Sequence, residues 1–196
     1  MSASHDKKKE AIIRAAGIVF AQKGFHQAKM DEIAQMAKVA KGTLYYNYAS
    51  KSKLFGATVT QGLNQIMDAI SKEIDADIPF DAHFQRIIAT IVNLYITNSE
   101  VMRIYANEMS SGIEEEVLVE IKNVRKKFNT FVEDQLTFGQ EKGYIRRLPP
   151  HLSALAVIGI IDTLCSHYIE NPDHDTLDEI VDTVVTILSN GLARTS

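Results

Sequence analysis

The chain has 196 residues, 45% of them hydrophobic and 23% charged, which is ordinary for a globular protein that buries its own core. Its one cysteine excludes an internal disulfide and indicates a reducing, cytoplasmic location. The charged N-terminus and the shortness of the apolar runs argue against a signal peptide and a membrane span, so we expect no membrane partner.

Apolar residues at helical spacing predict an all-α fold of about nine helices, without a convincing strand. Gly24 and Gly143 mark two of the breaks between helices. Ser50 is placed to cap the fourth helix and Asp175 to cap the last. The predicted helices span residues 6–23, 30–37, 41–48, 51–74, 81–97, 100–110, 113–142, 151–170 and 176–193.

The net charge of −4 is distributed unevenly along the chain. Residues 1–55 hold ten Lys and Arg against four Asp and Glu, whereas residues 56–196 hold eleven against twenty-one. A head of net charge +6 on a body of net charge −10 is typical of a head that meets a polyanion. An uneven solvated surface would have the same composition.

Two short helices joined by a three-residue turn, at residues 30–37 and 41–48, follow the helix-turn-helix pattern. In the second of them, Leu44 and Tyr48 lie four residues apart and are predicted to pack inward. The residues left facing outward are Lys41, Gly42, Thr43 and Tyr46.

This outward face carries hydroxyl groups and an ammonium group, which donate hydrogen bonds to phosphates and base edges. Lys51 and Lys53 begin the next helix, where they could flank the nucleic-acid strand that this face contacts. The tyrosines could instead be half-buried surface rings beside solvated lysines. The turn, the basic head and the polar face together favour contact with double-stranded DNA.

The segment GFHQAKMDEIAQMAKVAKGTLYYNYASKSKLF, residues 24–55, resembles the DNA-binding head of TetR-family transcriptional regulators. The family pattern has Gly and an aromatic residue, a Thr-rich entry to the second helix, IA, and then AGVSKGTLYYHFPSKEALF. The matching residues are Gly24, Phe25, Ile33, Ala34, Ala37, Val39, Lys41, Gly42, Thr43, Leu44, Tyr45, Tyr46 and Lys51.

The resemblance implies a homodimer that places one helix in each major groove of its operator. It also implies a DNA-binding domain at residues 1–52 and an α-helical effector-binding and dimerisation domain at residues 53–196. The residues expected to contact DNA are Lys29, Lys41, Gly42, Thr43, Tyr45, Tyr46, Asn47 and Lys51.

Four residues depart from the family pattern. Lys29 replaces a capping Thr, Lys38 stands where Gly often ends the second helix, Ala40 replaces a capping Ser, and Asn47 replaces a common His. We expect a little strain in the turn at Lys38. These departures affect which side chains read the operator rather than the fold.

The body is expected to supply the dimer interface and the effector pocket, as the resemblance implies. The last two predicted helices carry apolar stripes. These stripes could belong only to the monomer core, or they could pack against the same helices of a second subunit in a dimer. The expected interface residues are Leu155, Ile158, Ile161, Ile180, Val184 and Leu188.

The middle helices could wrap a cavity, although Met and aromatic stripes are also typical of plain core. The expected ligand-binding residues are Ile91, Tyr95, Met102, Tyr105, Met109, Phe128 and Phe131. A wall of this kind favours a small, largely apolar effector, such as a fatty acid derivative, an aromatic compound or a lipophilic drug.

Polar residues in the apolar body do not form a convincing catalytic group. Cys165 and His167 are two residues apart and diverge on a helix, so they cannot act as a nucleophile and its base. For Asp162 we expect a structural hydrogen bond. The acids at residues 173–178 are explained by a helix start, so we expect no metal, no cofactor and no enzymatic activity.

We therefore expect a ligand-responsive transcriptional regulator, a repressor that binds a palindromic operator and is released by its effector. The alternative is a helical small-molecule-binding protein whose basic head binds without sequence preference.

Overall fold

A computed structural model of the chain describes residues 2–74, 80–97 and 113–192. These ranges hold eight α-helices and no β-strand, which confirms the all-α prediction. The helix predicted at residues 100–110 lies outside the described residues. The helices are α1 (Ser2–Gln27), α2 (Met30–Met36), α3 (Lys41–Asn47), α4 (Lys51–Ile74), α5 (Phe80–Thr97), α6 (Glu115–Glu141), α7 (Pro150–Glu170) and α8 (Leu177–Leu192).

The described residues form two compact units. The first unit contains residues 2–63 and 113–124, and the second contains residues 64–74, 80–97 and 125–192. In the first unit α2 packs against α1 and α3, and in the second α5, α7 and α8 pack against one another.

Three phenylalanines lie at the centre of the first unit. The Phe55 ring meets the rings of Phe20 and Phe25 edge to face, with centroids 5.4 and 5.3 Å apart. Ile33 and Leu44 have no exposed surface in the same unit, as the inward face of the helix-turn-helix predicts. Because Phe55 belongs to α4, the beginning of that helix is part of the core that supports α2 and α3.

The first break is a kink rather than an end. α1 continues beyond the predicted stop to Gln27, across a non-helical Gly24 with φ 71° and ψ 169°. Glycine adopts this conformation readily because it has no Cβ.

Two helices end in the same hydrogen-bonded motif. After α2, the N–H of Lys38 donates to the Gln35 carbonyl (3.1 Å) and the N–H of Val39 donates to the Ala34 carbonyl (3.0 Å). After α6, Gly143 donates to Gln140 and Tyr144 to Gly139 in the same pattern, at 3.1 and 2.9 Å. This is the Schellman arrangement, whose first residue beyond the cap takes a positive φ. That residue is Lys38 (φ 55°) in one motif and Gly143 (φ 78°) in the other.

The prediction for the cap of α4 is confirmed, and the prediction for α8 is wrong. The Ser50 Oγ accepts a hydrogen bond from the N–H of Lys53 at 3.1 Å. At α8 the cap is Thr176 rather than Asp175, because Thr176 and Glu179 form a reciprocal capping box. Glu179 Oε2 accepts from the N–H of Thr176 (2.7 Å), and Thr176 Oγ1 accepts from the N–H of Glu179 (3.2 Å).

α7 is the one helix of the described ranges that is long and apolar enough to cross a membrane. Composition of this kind also occurs in core helices, and α7 packs against α5 and α8 within the second unit.

Candidate functional site

α3 has an exposed polar surface on one side and a buried leucine on the other. Leu44 is completely buried, whereas Tyr45 and Tyr46 are 42% and 83% exposed. A Cβ added at Gly42 would meet no heavy atom of the described residues within 4 Å, so the space beside the backbone is open. This side of α3 is free to approach a large ligand closely, as the sequence predicts.

Lys41, at the start of α3, is already paired with a carboxylate. Its Nζ lies 2.8 Å from Oδ1 and 2.9 Å from Oδ2 of Asp31, in the first turn of α2. The hydrogen bond from Lys41 to Asp31 raises the pKa of Lys41, and the carboxylate's charge adds to the effect. Sequence reasoning did not single out Asp31, because an acid in a first turn is already explained by the helix dipole.

Lys51 supports the site from within the first unit. Its Nζ donates to the carbonyls of His26 (3.0 Å) and Ala28 (3.2 Å) and lies 4.7 Å from the centre of the Phe25 ring. The ammonium group therefore ties the first turn of α4 to the end of α1 and to Ala28, which lies between α1 and α2. This position explains Lys51 as a residue that holds the helix-turn-helix in place.

Other cations of this region differ in their surroundings. Lys29 is exposed at the N-cap of α2 and makes no side-chain cap. The sequence analysis expected Lys53 to be able to flank a nucleic-acid strand together with Lys51. In the structure Lys53 pairs with Glu116 (2.9 Å) and Glu120 (3.2 Å) of α6. Those two carboxylates raise the pKa of Lys53.

Thr43 and Asn47 are joined along α3. The amide Nδ2 of Asn47 donates to the Thr43 carbonyl at 2.7 Å, and both residues are partly buried. The Oδ1 of Asn47 is buried and finds no hydrogen-bond partner among the described residues. Lys41, Gly42, Tyr45 and Tyr46 are therefore the more accessible of the predicted DNA contacts on α3.

A polar group lies inside the second unit. The hydroxyl of Tyr95 donates to Asp162 Oδ1, and it lies 3.2 Å from the Ser166 Oγ. Burial and the hydrogen bond to Asp162 raise the pKa of Tyr95 well above its ordinary value. Burial also raises the pKa of the neighbouring Cys165 to about 12, so its thiol stays protonated at neutral pH. The structural hydrogen bond expected of Asp162 is confirmed, with a partner 67 residues away.

The other predicted pocket residues divide into two groups. Ile91, Phe128 and Phe131 are partly buried in the second unit, with Tyr95 buried beside α7 through its hydrogen bonds. Met102, Tyr105 and Met109 lie outside the described residues.

Most of the predicted interface residues lie inside the chain's own core. Leu155 is 52% exposed and Ile158 is partly buried. The buried members of the set are Ile161, Ile180, Val184 and Leu188. A side chain that is already enclosed by its own chain cannot form much contact with a second one, so Leu155 is the most accessible member of the predicted set, and further apolar surface lies elsewhere on these helices.

That surface is carried by neighbouring positions of α7 and α8. Leu152 is 55% exposed and Ile187 is 47% exposed. Gly159 and Gly191 are exposed as well, with open space where a Cβ would stand among the described residues. Exposed apolar side chains beside glycines allow another helix to approach closely.

Family models match both parts of the chain. Residues 12–58 match bacterial regulatory proteins of the tetR family, and residues 77–192 match the tetracyclin repressor-like C-terminal domain.

Two relatives from Bacillus subtilis (strain 168) align along most of the chain. The HTH-type transcriptional regulator YhgD is 24% identical over 174 residues, which is 88% of each chain. The fatty acid metabolism regulator protein is 22% identical over 182 residues, with 92% of this chain and 93% of the relative covered.

Among solved structures, the fold is similar to that of the transcriptional regulator FadR from Bacillus subtilis in complex with stearoyl-CoA. The TM-score is 0.78 at 22% identity, and the alignment covers 93% of this chain and 98% of the other.

Proposed function

The chain belongs to the tetR family of bacterial regulatory proteins and is a DNA-binding transcriptional regulator, and from this premise we propose a specific mode of action. The protein is a cytoplasmic homodimeric repressor that binds a palindromic operator. It leaves the operator when a largely apolar effector binds the second unit.

The exposed face of α3 is the observation that carries this proposal. Tyr46 and Gly42 are accessible, while Leu44 fixes the opposite side of the helix in the core. A helix anchored in this way can enter a major groove without disturbing the unit that supports it. Residues 1–52 supply this function, and residues 53–196 bind the effector and form the dimer.

The effector is a long-chain fatty acyl derivative. Support comes from the apolar and aromatic side chains of Ile91, Phe128 and Phe131, together with a few polar atoms at Tyr95 and Asp162. Sites for such ligands are mostly apolar, with a small number of polar groups that fix orientation. The solved regulator of similar fold binds stearoyl-CoA, which supports the same ligand class here.

Dimerisation uses the exposed apolar surface of α7 and α8, represented by Leu152, Leu155 and Ile187. Leu152 and Leu155 lie three residues apart on α7 and so share one face of it, and neighbouring exposed apolar residues are typical of an interaction surface. A two-fold dimer also presents two copies of α3, which a palindromic operator requires.

A salt titration tests the first part of the proposal. Full-length protein is mixed with the DNA flanking its own gene and, separately, with random DNA of equal length, between 50 and 200 mM salt as a rough range. We expect a protected palindrome and an affinity at least ~1,000-fold above that for random DNA. Equal affinities for the two DNAs would show a basic head that binds without sequence preference.

An effector titration tests the second part. Operator affinity is measured with stearoyl-CoA, with stearate and with coenzyme A alone, so that the acyl chain and the nucleotide part are separated. We expect stearoyl-CoA to weaken operator binding roughly 5–150-fold, and by linkage the operator to weaken stearoyl-CoA binding by the same factor. A ligand that raises the melting temperature and leaves operator affinity unchanged would contradict this signalling role.

A further inference from the structure

Asp31 and Lys41 hold a carboxylate and an ammonium group side by side on the helix-turn-helix. Asp31 lies on α2 and Lys41 on α3, and both side chains are more than half exposed. The Lys41 Nζ contacts both carboxylate oxygens, at 2.8 and 2.9 Å. The pair therefore presents an acceptor and a donor together on a surface that faces solvent.

A carboxylate here has a cost for DNA binding in general. Each Lys that neutralises a phosphate raises DNA affinity by releasing a counterion. The Asp31–Lys41 pair has no net charge, so it does not neutralise a phosphate in this way. Asp31 would also repel phosphates directly. This cost applies to every DNA sequence, so any gain from Asp31 must come from particular bases.

The major-groove edge of one base pair fits the Asp31–Lys41 pair. Guanine offers two acceptors, N7 and O6, and its partner cytosine offers the N4 amino donor beside them. An ammonium group can only donate and an ionised carboxylate can only accept. An adenine–thymine pair places the thymine O4 acceptor where the cytosine amino group would be, and that oxygen would repel the carboxylate.

We propose that Asp31 is a specificity-determining residue that, with Lys41, selects a G·C pair in each operator half-site. Lys41 donates to guanine and Asp31 accepts from the cytosine N4 amino group. This inference rests on the proposed function, because it requires α3 to lie in the major groove. An exposed ion pair is weak, so the two side chains can separate onto the two bases at little cost.

Glu32 provides a matched control. It follows Asp31 in the same turn of α2, and it pairs with Lys23 at 2.9 Å instead of with Lys41. Glu32→Gln therefore removes one negative charge from the same turn without releasing Lys41.

The experiment compares full-length wild type, Asp31→Ala, Asp31→Asn and Glu32→Gln. Each protein selects sites from a random double-stranded DNA library. Its affinity is then measured for the wild-type site, for versions with each base pair replaced, and for random DNA at several salt concentrations. Thermal unfolding by circular dichroism verifies that each variant is folded.

We expect wild type and Glu32→Gln to favour G·C over the other pairs by about tenfold or more at one position of each half-site. Asp31→Ala should lose the part of that preference that comes from the cytosine N4 contact, bind random DNA more tightly and show a salt slope steeper by about one. Asp31→Asn should move the preference toward A·T, because the amide can donate a hydrogen bond to the thymine O4 that repels the carboxylate.

Two results would overturn the inference. If Asp31→Ala binds all sequences more tightly and keeps every base preference, the negative charge of Asp31 only weakens binding to DNA of any sequence. The regulator proposal then stands. If wild type enriches no sequence at all, the proposed function fails and this inference fails with it.

Discussion

Lys38 and Gly143 occupy the same position in two Schellman motifs of one chain, and only one of them is suited to it. Both residues have a positive φ, 55° at Lys38 and 78° at Gly143. Glycine enters this region freely, but a residue with a Cβ approaches the following carbonyl oxygen and loses about 1–2 kcal/mol. The strain expected at Lys38 from sequence therefore lies in the turn that sets α2 against α3.

Lys38→Gly should raise the free energy of unfolding by about 0.5–1 kcal/mol, because relief of the strain exceeds the added flexibility of the unfolded chain. Urea unfolding measures this change. Gln35→Gly is the control: Gln35 is exposed and helical, so the same replacement should lower stability by about 1 kcal/mol. A loss of stability in both variants would show that Lys38 is not strained.

Lys51 and Lys29 allow a positioning lysine to be distinguished from a phosphate-binding one. Lys51→Met keeps the apolar stem but removes the bonds to the His26 and Ala28 carbonyls. We expect it to lower the free energy of unfolding by about 1 kcal/mol and to weaken operator binding. Lys29→Met, at an exposed site, should leave stability unchanged and lower the salt slope by about one. If Lys51→Met lowered the salt slope without loss of stability, and Lys29→Met lowered stability instead, Lys51 would be the phosphate contact.

Among the helices, α4 depends on one small residue for its contact with α6. A Cβ built at Gly56 would stand 2.8 Å from Val117 Cγ1, closer than packed carbons tolerate. Val117 has no exposed surface, so it has little room to move away. Close approach of the two helices therefore requires glycine at this position.

Gly56→Ala should destabilise the protein by about 1 kcal/mol, since overpacking costs ~1–3 kcal/mol and the gain in helix propensity returns part of it. Gly42→Ala is the control, because Gly42 is exposed in α3 and a Cβ there meets no described atom within 4 Å, so its effect on stability should be neutral or stabilising. Val117→Ala combined with Gly56→Ala should restore part of the loss. Equal changes in stability at the two glycines would contradict the explanation that Gly56→Ala destabilises the protein by overpacking against Val117.

Helix positions could be read from sequence more reliably than the partners of individual side chains. Apolar periodicity gave the ends of α4 and α5 to within about a residue, because each helix buries one continuous face. The cap at Thr176 was missed although the T-x-x-E spacing to Glu179 was visible. The contacts of Lys51 and Asp31 could not be foreseen, because they join residues 10 to 25 positions apart whose approach is set by tertiary packing.

For the whole molecule, sequence reasoning identified which helices carry apolar surface but not which residues remain exposed. α7 and α8 have apolar residues on more than one face, so periodicity alone does not separate core from interface. Val184 is completely buried, whereas Leu155 is half exposed. The interface proposal therefore keeps Leu155 from the predicted set and leaves out the buried residues such as Val184.

Leu155→Glu should convert the protein to monomers without unfolding it, because the charge replaces an exposed leucine at the proposed interface. A monomer contacts one half-site at a time, so operator affinity should fall at least ~100-fold as the avidity of two linked heads is lost. Sedimentation velocity and operator titration measure these effects, with helix content followed by circular dichroism. Val119→Glu, at a 48% exposed valine of α6 outside the proposed interface, is the control and should remain dimeric. Val184→Glu should instead lower helix content, because it places a charge in the core. If Leu155→Glu sediments as a dimer and binds the operator normally, the subunits associate through a different surface.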